Sequence, residues 1–262
     1  MLHRLKDLAR NTTIVLALGL SCGYAIAAPG TELVAERIDF IRHGESEDNP
    51  DKGKTVSRLD GTLGVSKGKV LSGWNSASLT MLGVSQAVKA GEVLAQKDAA
   101  VSTKLRDALW LYSPLLRTRQ TLSGVLIGAK LTADGDVRAR PDTRLFERSA
   151  GDVTNLTWDE AAKIWPEMQK GRSAAVFNQV SAAYPNGESL EIVYRRASSA
   201  LDEAMRTEKR IIIVSHELTI KAMVAYLTLG KIDERAFAIS VENAKPISLV
   251  RKGNQWEVAA QP

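Results

Sequence analysis

The chain holds three histidines, His3, His43 and His216, and two of them stand where they can do chemistry. His43 lies in Arg42-His43-Gly44-Glu45-Ser46 and His216 in Ser215-His216-Glu217, each directly after a run that reads as a buried strand. Arg117 follows a third such run. Two histidines and two arginines with few nearby carboxylates make a cationic set, which repels a divalent metal and suits a phosphate, since guanidinium forks match phosphoryl oxygens. No metal and no cofactor is therefore expected. Arg117 falls in the first turn of an expected helix, where a cation opposes the macrodipole by about 0.3–1 kcal/mol. A residue placed against its own helix reads as serving a ligand, because that helix end and the guanidinium both favour an anion.

The elements that must position these residues can be read from hydrophobic periodicity. Runs at 37–41, 108–112 and 210–215 read as strands, and Ile211-Ile212-Ile213-Val214 is apolar on both faces, as a central parallel strand is. Helices are expected at 80–94, 114–127, 157–170, 189–206 and 218–229, with Thr80 and Ser113 as N-caps and Pro114 at a first helical position. Leu190, Val193, Tyr194, Ala197 and Leu201 form one apolar stripe and read as core. Short strands at 247–250 and 256–258 read as the sheet's edge. The alternation predicts an α/β fold, a three-layer α/β/α sandwich with a mostly parallel central sheet. Ligands in such sheets bind beyond the carboxyl ends of the strands, where His43, Arg117 and His216 all fall. Segments 50–78, rich in Gly and Lys, and 148–187, with Trp158 and Trp165, break the alternation and read as a long loop and a partly helical excursion inserted over the site.

The motifs resemble those of a family. Arg42-His43-Gly44-Glu45-Ser46 with Asn49, Ser78-Leu79-Thr80 with Gly83 and Gln86-Ala87, Ser113-Pro114-Leu115-Leu116-Arg117-Thr118-Arg119-Gln120-Thr121, Leu145-Phe146-Glu147, Pro185-Asn186-Gly187-Glu188-Ser189 and Ser215-His216 are similar, in that order, to the histidine phosphatase superfamily. The closer resemblance is to its phosphoglycerate-mutase-like branch. It implies that His43 is a nucleophile forming a phosphohistidine, and that Arg42, Arg117 and His216 hold the phosphoryl oxygens. Asn49 would add a neutral donor, and Glu147 would act as general acid and then base. Glu45, Glu188 and Glu217 also lie near motif positions and compete with Glu147 for that role. Glu217 stands where many relatives have glycine, so its carboxylate enters the substrate-binding pocket either to repel phosphate or to orient a donor.

Composition sets the remaining bounds. Hydrophobic residues are 44% and charged residues 25% of the chain, as in soluble globular enzymes. Arg4, Lys6 and Arg10, the apolar run 14–20 and Ala25-Ile26-Ala27 follow the order of a secretory signal, so residues 1–27 are expected to be removed, leaving 28–262 as a single catalytic domain. The apolar stretch is shorter than the roughly 20 residues of a spanning helix, so no stable membrane anchor is expected. Cys22, the sole cysteine, would leave with the signal, excluding disulfides and thiol chemistry from a periplasmic or secreted protein. Removal takes Arg4, Lys6, Asp7 and Arg10 and lowers the net charge from +5 to +3, which suits a small anionic substrate and is too little to argue for nucleic acid. The expected function is an exported phosphatase acting on a small-molecule phosphoester. The alternatives are a phosphoglycerate-type mutase and a catalytically weak phospho-ligand-binding protein. Trp74, Trp158, Lys163, Trp165 and Arg172 are candidates for leaving-group recognition.

Overall fold

In the computed structural model the described residues are 33–98, 104–132, 135, 137–173 and 175–259. The expected signal at 1–27 lies outside them. The elements run β1 (Arg37–Arg42), β2 (Thr55–Ser57), β3 (Leu63–Val65), α1 (Met81–Asp98), β4 (Leu109–Tyr112), α2 (Leu116–Gly128), β5 (Arg138–Pro141), α3 (Trp158–Ile164), α4 (Ala175–Asn178), α5 (Leu190–Met205), β6 (Arg210–Ser215), α6 (Glu217–Leu229), β7 (Ile247–Lys252) and β8 (Gln255–Val258).

The main sheet has the order β5-β4-β6-β1-β7-β8. Its first four strands are mutually parallel, while β7 runs antiparallel to β1 and β8 to β7. Side chains alternate across a strand, and β6 uses both faces. Ile211 and Ile213 pack with Phe40, Leu111, Leu201 and Met223 beneath α5 and α6. Ile212 and Val214 pack with Ile41, Trp110, Leu94 and Val125 beneath α1 and α2. The three-layer α/β/α sandwich with its mostly parallel sheet follows from that double burial. Each wholly buried aliphatic side chain contributes roughly 1.5–3 kcal/mol. The centre of the sheet is thus the stiffest support in the fold, and β4, β6 and β1 end there side by side.

Several local expectations are corrected. Thr80 does cap α1, accepting from the Gly83 N–H at 3.0 Å. Ser113 does not cap α2, and Pro114 is not its first residue: the cap is Leu115, extended at ψ 147°, with no side-chain bond. The helix expected at 157–170 is two pieces. Thr157 and Glu160 form a capping box that starts α3. Proline then disfavours helical geometry in the residue before it, so Trp165 turns extended, and 3-10 geometry broken by a kink at Gly171 (φ 60°) follows over Pro166–Ser173. The segment 50–78 is more than a loop, since β2 and β3 pair as an antiparallel hairpin. β5 went unpredicted because all four of its residues are exposed. Edge pairing to β4 and ion pairs of Arg138 with Glu208 and Arg140 with Glu203 hold it.

The segment 148–187 builds a small core of its own from Ala150, Val153, Ala161, Met168, Val176 and Tyr184, with Trp158 and Trp165 packed against it. Those two tryptophans are spent on packing, and Lys163 is exposed on α3. The side chain of Arg172 lies outside the described residues.

Candidate active site

Register brings the two histidines together. β1 and β6 are parallel with Arg42 opposite Ser215, so the residues that follow, His43 and His216, leave adjacent strands at the same level. The His43 N–H donates to the Ser215 carbonyl at 2.9 Å, and the Ser113 N–H at the end of β4 donates to Val214 at 3.0 Å. The rings stand edge to face with centroids 5.3 Å apart.

His43 is 5% exposed. Its Nδ1 lies 2.8 Å from the Gly44 carbonyl, and a carbonyl can only accept, so Nδ1 carries the proton and Nε2 keeps its lone pair. Burial, then the Arg117 and Arg42 charges, push the imidazole well below its ordinary range, outweighing the Gly44 bond that favours protonation. The free base is therefore the favoured form of His43. The turn beyond it is fixed by contact: a Cβ on Gly44 would collide with the Gly83 carbonyl, and one on Gly83 with the Glu45 carbonyl. The Gly44 N–H donates to Thr121 Oγ1 at 3.0 Å, and Asn243 Nδ2 donates to the His43 carbonyl at 2.8 Å.

His216 is fully buried and stands at the N-cap position of α6, its side chain making no capping bond. Its Nε2 is 2.8 Å from Ser113 Oγ, while Nδ1 is buried without a partner. Burial first, and then the Arg117 charge, lower its pKa well below the ordinary value, which favours the neutral ring. Arg117 is 1% exposed; its Nη1 donates to the Asn75 carbonyl and Oδ1, both at 3.1 Å, and its Nη2 to the Gly73 carbonyl at 2.8 Å. Arg42 Nη1 donates to the Val241 carbonyl and meets Glu217 Oε2, each at 3.0 Å. Glu217 also pairs with Lys221 Nζ at 2.9 Å.

Five buried side-chain polar atoms lack a hydrogen-bond partner among the described residues, and three of them are Arg42 Nε, Arg117 Nε and His216 Nδ1. A buried donor without an acceptor costs about 1–3 kcal/mol. Three such nitrogens on three residues grouped around His43 suit an oxygen-rich anion, His216 Nδ1 as a donor in the tautomer whose Nε2 accepts from Ser113.

The four competing glutamates separate on geometry. Glu45 accepts from Thr80 Oγ1 at 2.8 Å. Glu188 takes two bonds from Arg196, at 2.9 and 2.8 Å, and one from the Ser149 N–H at 2.9 Å. Glu217 is paired with cations as above. Glu147 instead takes the Arg148 N–H on Oε1 at 2.8 Å. Burial raises its pKa, and the Glu217 charge adds to this, against the opposing Arg148 N–H, Arg117 and Arg42. Its backbone is pinned: Ser215 Oγ donates to the Leu145 carbonyl, Thr219 Oγ1 and Arg196 Nη1 to that of Phe146, and Arg196 Nη2 to that of Glu147 at 3.0 Å.

Asn49 spends its Oδ1 on the turn after His43, accepting from the Ser46 N–H at 2.9 Å and Oγ at 3.1 Å, which leaves Nδ2 as the donor it can offer. Residues missed by sequence reasoning are Ser113, Asn75, Asn243 and Arg196. Ser113 was in view, but a serine ahead of a helix reads as a cap. Asn75 and Asn243 lie in irregular backbone, where periodicity carries no signal.

Residues 38–261 match the histidine phosphatase superfamily, branch 1. A 2,3-bisphosphoglycerate-dependent phosphoglycerate mutase of Parvibaculum lavamentivorans is 25% identical over 214 residues, covering 79% of this chain and 87% of the mutase. Phosphoglycerate mutase-like protein 4 of Arabidopsis thaliana is 33% identical over 137 residues, covering 51% of this chain and 56% of its own. Among solved structures, a mycobacterial glucosyl-3-phosphoglycerate phosphatase in complex with inorganic phosphate shares 22% identity, covering 86% of this chain and 96% of that one at a TM-score of 0.63. That similarity bears on the fold.

Proposed function

The chain belongs to the histidine phosphatase superfamily, and from that membership we propose that it is an exported phosphatase that hydrolyses a small-molecule phosphomonoester through a phosphohistidine on His43. The observation that carries this reading is the 2.8 Å contact from His43 Nδ1 to the Gly44 carbonyl, which leaves Nε2 unprotonated. In the first half-reaction Nε2 attacks phosphorus, the P–O ester bond breaks, and the leaving oxygen takes the proton of Glu147. Arg42, Arg117 and His216 hold the phosphoryl oxygens as charge redistributes. In the second, the Glu147 carboxylate takes a proton from water, the water oxygen bonds to phosphorus, and the P–N electron pair returns to Nε2. Inorganic phosphate leaves and Glu147 is protonated again.

A panel of phosphoesters assayed with the mature protein in excess chelator tests the reading. Hydrolysis is expected to persist, because two guanidinium groups and a second histidine supply the charge stabilisation a metal would otherwise give. Loss of activity restored by one divalent ion would overturn the pocket, and binding without turnover would favour a phospho-ligand-binding protein. The mutases among the relatives favour a second reading, transfer between phosphoglycerates. The signal-like segment at 1–27 argues against it, since an exported mutase would be parted from glycolytic intermediates. N-terminal sequencing of the protein from its host is expected to find a mature chain starting near Ala28. A chain still starting at Met1 in the cytoplasm would revive the mutase.

A further inference from the structure

The segment Gly73-Trp74-Asn75 touches both ends of the reaction. Gly73 and Asn75 take the Nη groups of Arg117 through three bonds of 2.8 to 3.1 Å. Gly73 does so with φ at 46°, and a Cβ there would come within 2.9 Å of the Ala150 nitrogen. Between them, Trp74 Nε1 donates to the Glu147 carbonyl at 2.6 Å, and its ring leans on Phe146 with centroids 5.3 Å apart. Trp74 is 48% exposed, so burial does not explain a tryptophan at this position. Its specific contact is the N–H bond to the backbone of the acid.

We propose that Trp74 is a positioning residue: its indole N–H fixes the Glu147 backbone to the segment that carries Arg117, so that the acid and the phosphoryl-binding guanidinium hold one spacing. The inference rests on Glu147 being the acid. A displaced acid delivers its proton poorly to an alkoxide, whereas a nitrophenolate departs without one. Arg196 shares the Glu147 carbonyl at 3.0 Å and would keep it near its place, so the effect is partial.

The test is Trp74→Phe, which keeps a ring against Phe146 and removes the donor. The rate constant and half-saturation of phosphohistidine formation are measured in single turnovers on an alkyl phosphate and on p-nitrophenyl phosphate, with Glu147→Gln run beside it. The expected result is a loss of about tenfold in the alkyl rate constant, about twofold or less in the aryl one, and little change in half-saturation for either. The aryl rate also reports that the variant is folded. Equal losses on both esters, no loss, or a change confined to half-saturation would overturn the role, the last making the ring a leaving-group platform instead. If Glu147→Gln itself fails to separate the esters, the acid assignment falls and this inference with it. If Glu147→Gln separates them and Trp74→Phe does not, only the inference about Trp74 fails.

Discussion

His43→Ala is expected to abolish turnover and to abolish labelling by a phosphodonor, with a loss on the order of 10⁴-fold or more, as for other enzymes stripped of their nucleophile. The size follows from the site having one nitrogen poised for attack. His43 Nε2 is freed by the Gly44 bond and kept neutral by burial and two arginines, whereas His216 Nε2 is engaged with Ser113. The measurement is acid-labile phosphate on the protein after rapid quench, alongside steady-state hydrolysis. One outcome would redraw the mechanism. Ser113 Oγ sits 2.8 Å from His216 Nε2, a pairing that resembles an activated hydroxyl, and acid-stable label on His43→Ala would make Ser113 the acceptor.

Glu147→Gln is expected to slow phosphohistidine formation by about 10²–10³-fold on alkyl phosphates and by less than about tenfold on p-nitrophenyl phosphate. Glutamine keeps the shape and can still accept from the Arg148 N–H, so the loss isolates the proton. The pH dependence has a definite sign. The first half-reaction needs the protonated acid, and burial raises the Glu147 pKa, so the alkyl rate should hold to higher pH than an ordinary glutamic acid allows and then fall as pH rises through the raised value. That limb should be missing for the aryl ester and for the variant. Equal losses on both esters would remove Glu147 from the role, and Glu217, beside Arg42, would be tested next.

The parts of the fold visible in the sequence are those whose residues are buried on both sides. Ile211 to Val214 cannot be anything but central, and finding the middle strand places the carboxyl ends where His43, Arg117 and His216 sit. The stripe of α5 is legible for a different reason: Leu190, Val193, Tyr194, Ala197 and Leu201 recur at helical spacing and are all buried on one face. β5 is opaque because a strand of exposed arginines is held by a neighbour's backbone and by distant glutamates, neither of which leaves a local pattern. The same holds within the site. That Arg42 and His43 belong together can be read from adjacency, but the choice of Ser113 between capping a helix and bonding His216 depends on a strand order written 103 residues away. Nor does the sequence announce that Trp74 reaches Glu147, or that Pro50 to Ser78 contains a paired hairpin.

The Arg42–Glu217 contact bears on how the proposed phosphatase would deal with its product. A phosphate approaching Arg42 finds Nε without a partner but Nη1 already facing a carboxylate that Lys221 also steadies. The carboxylate beside Nη1 offsets part of the cationic charge, so the net gain from binding an anion is smaller than the arginines alone suggest. Inorganic phosphate brings nothing else to that binding, whereas an ester adds the contacts of its leaving group. On the proposed reaction, the resident glutamate would weight recognition towards the leaving group and disfavour retention of inorganic phosphate.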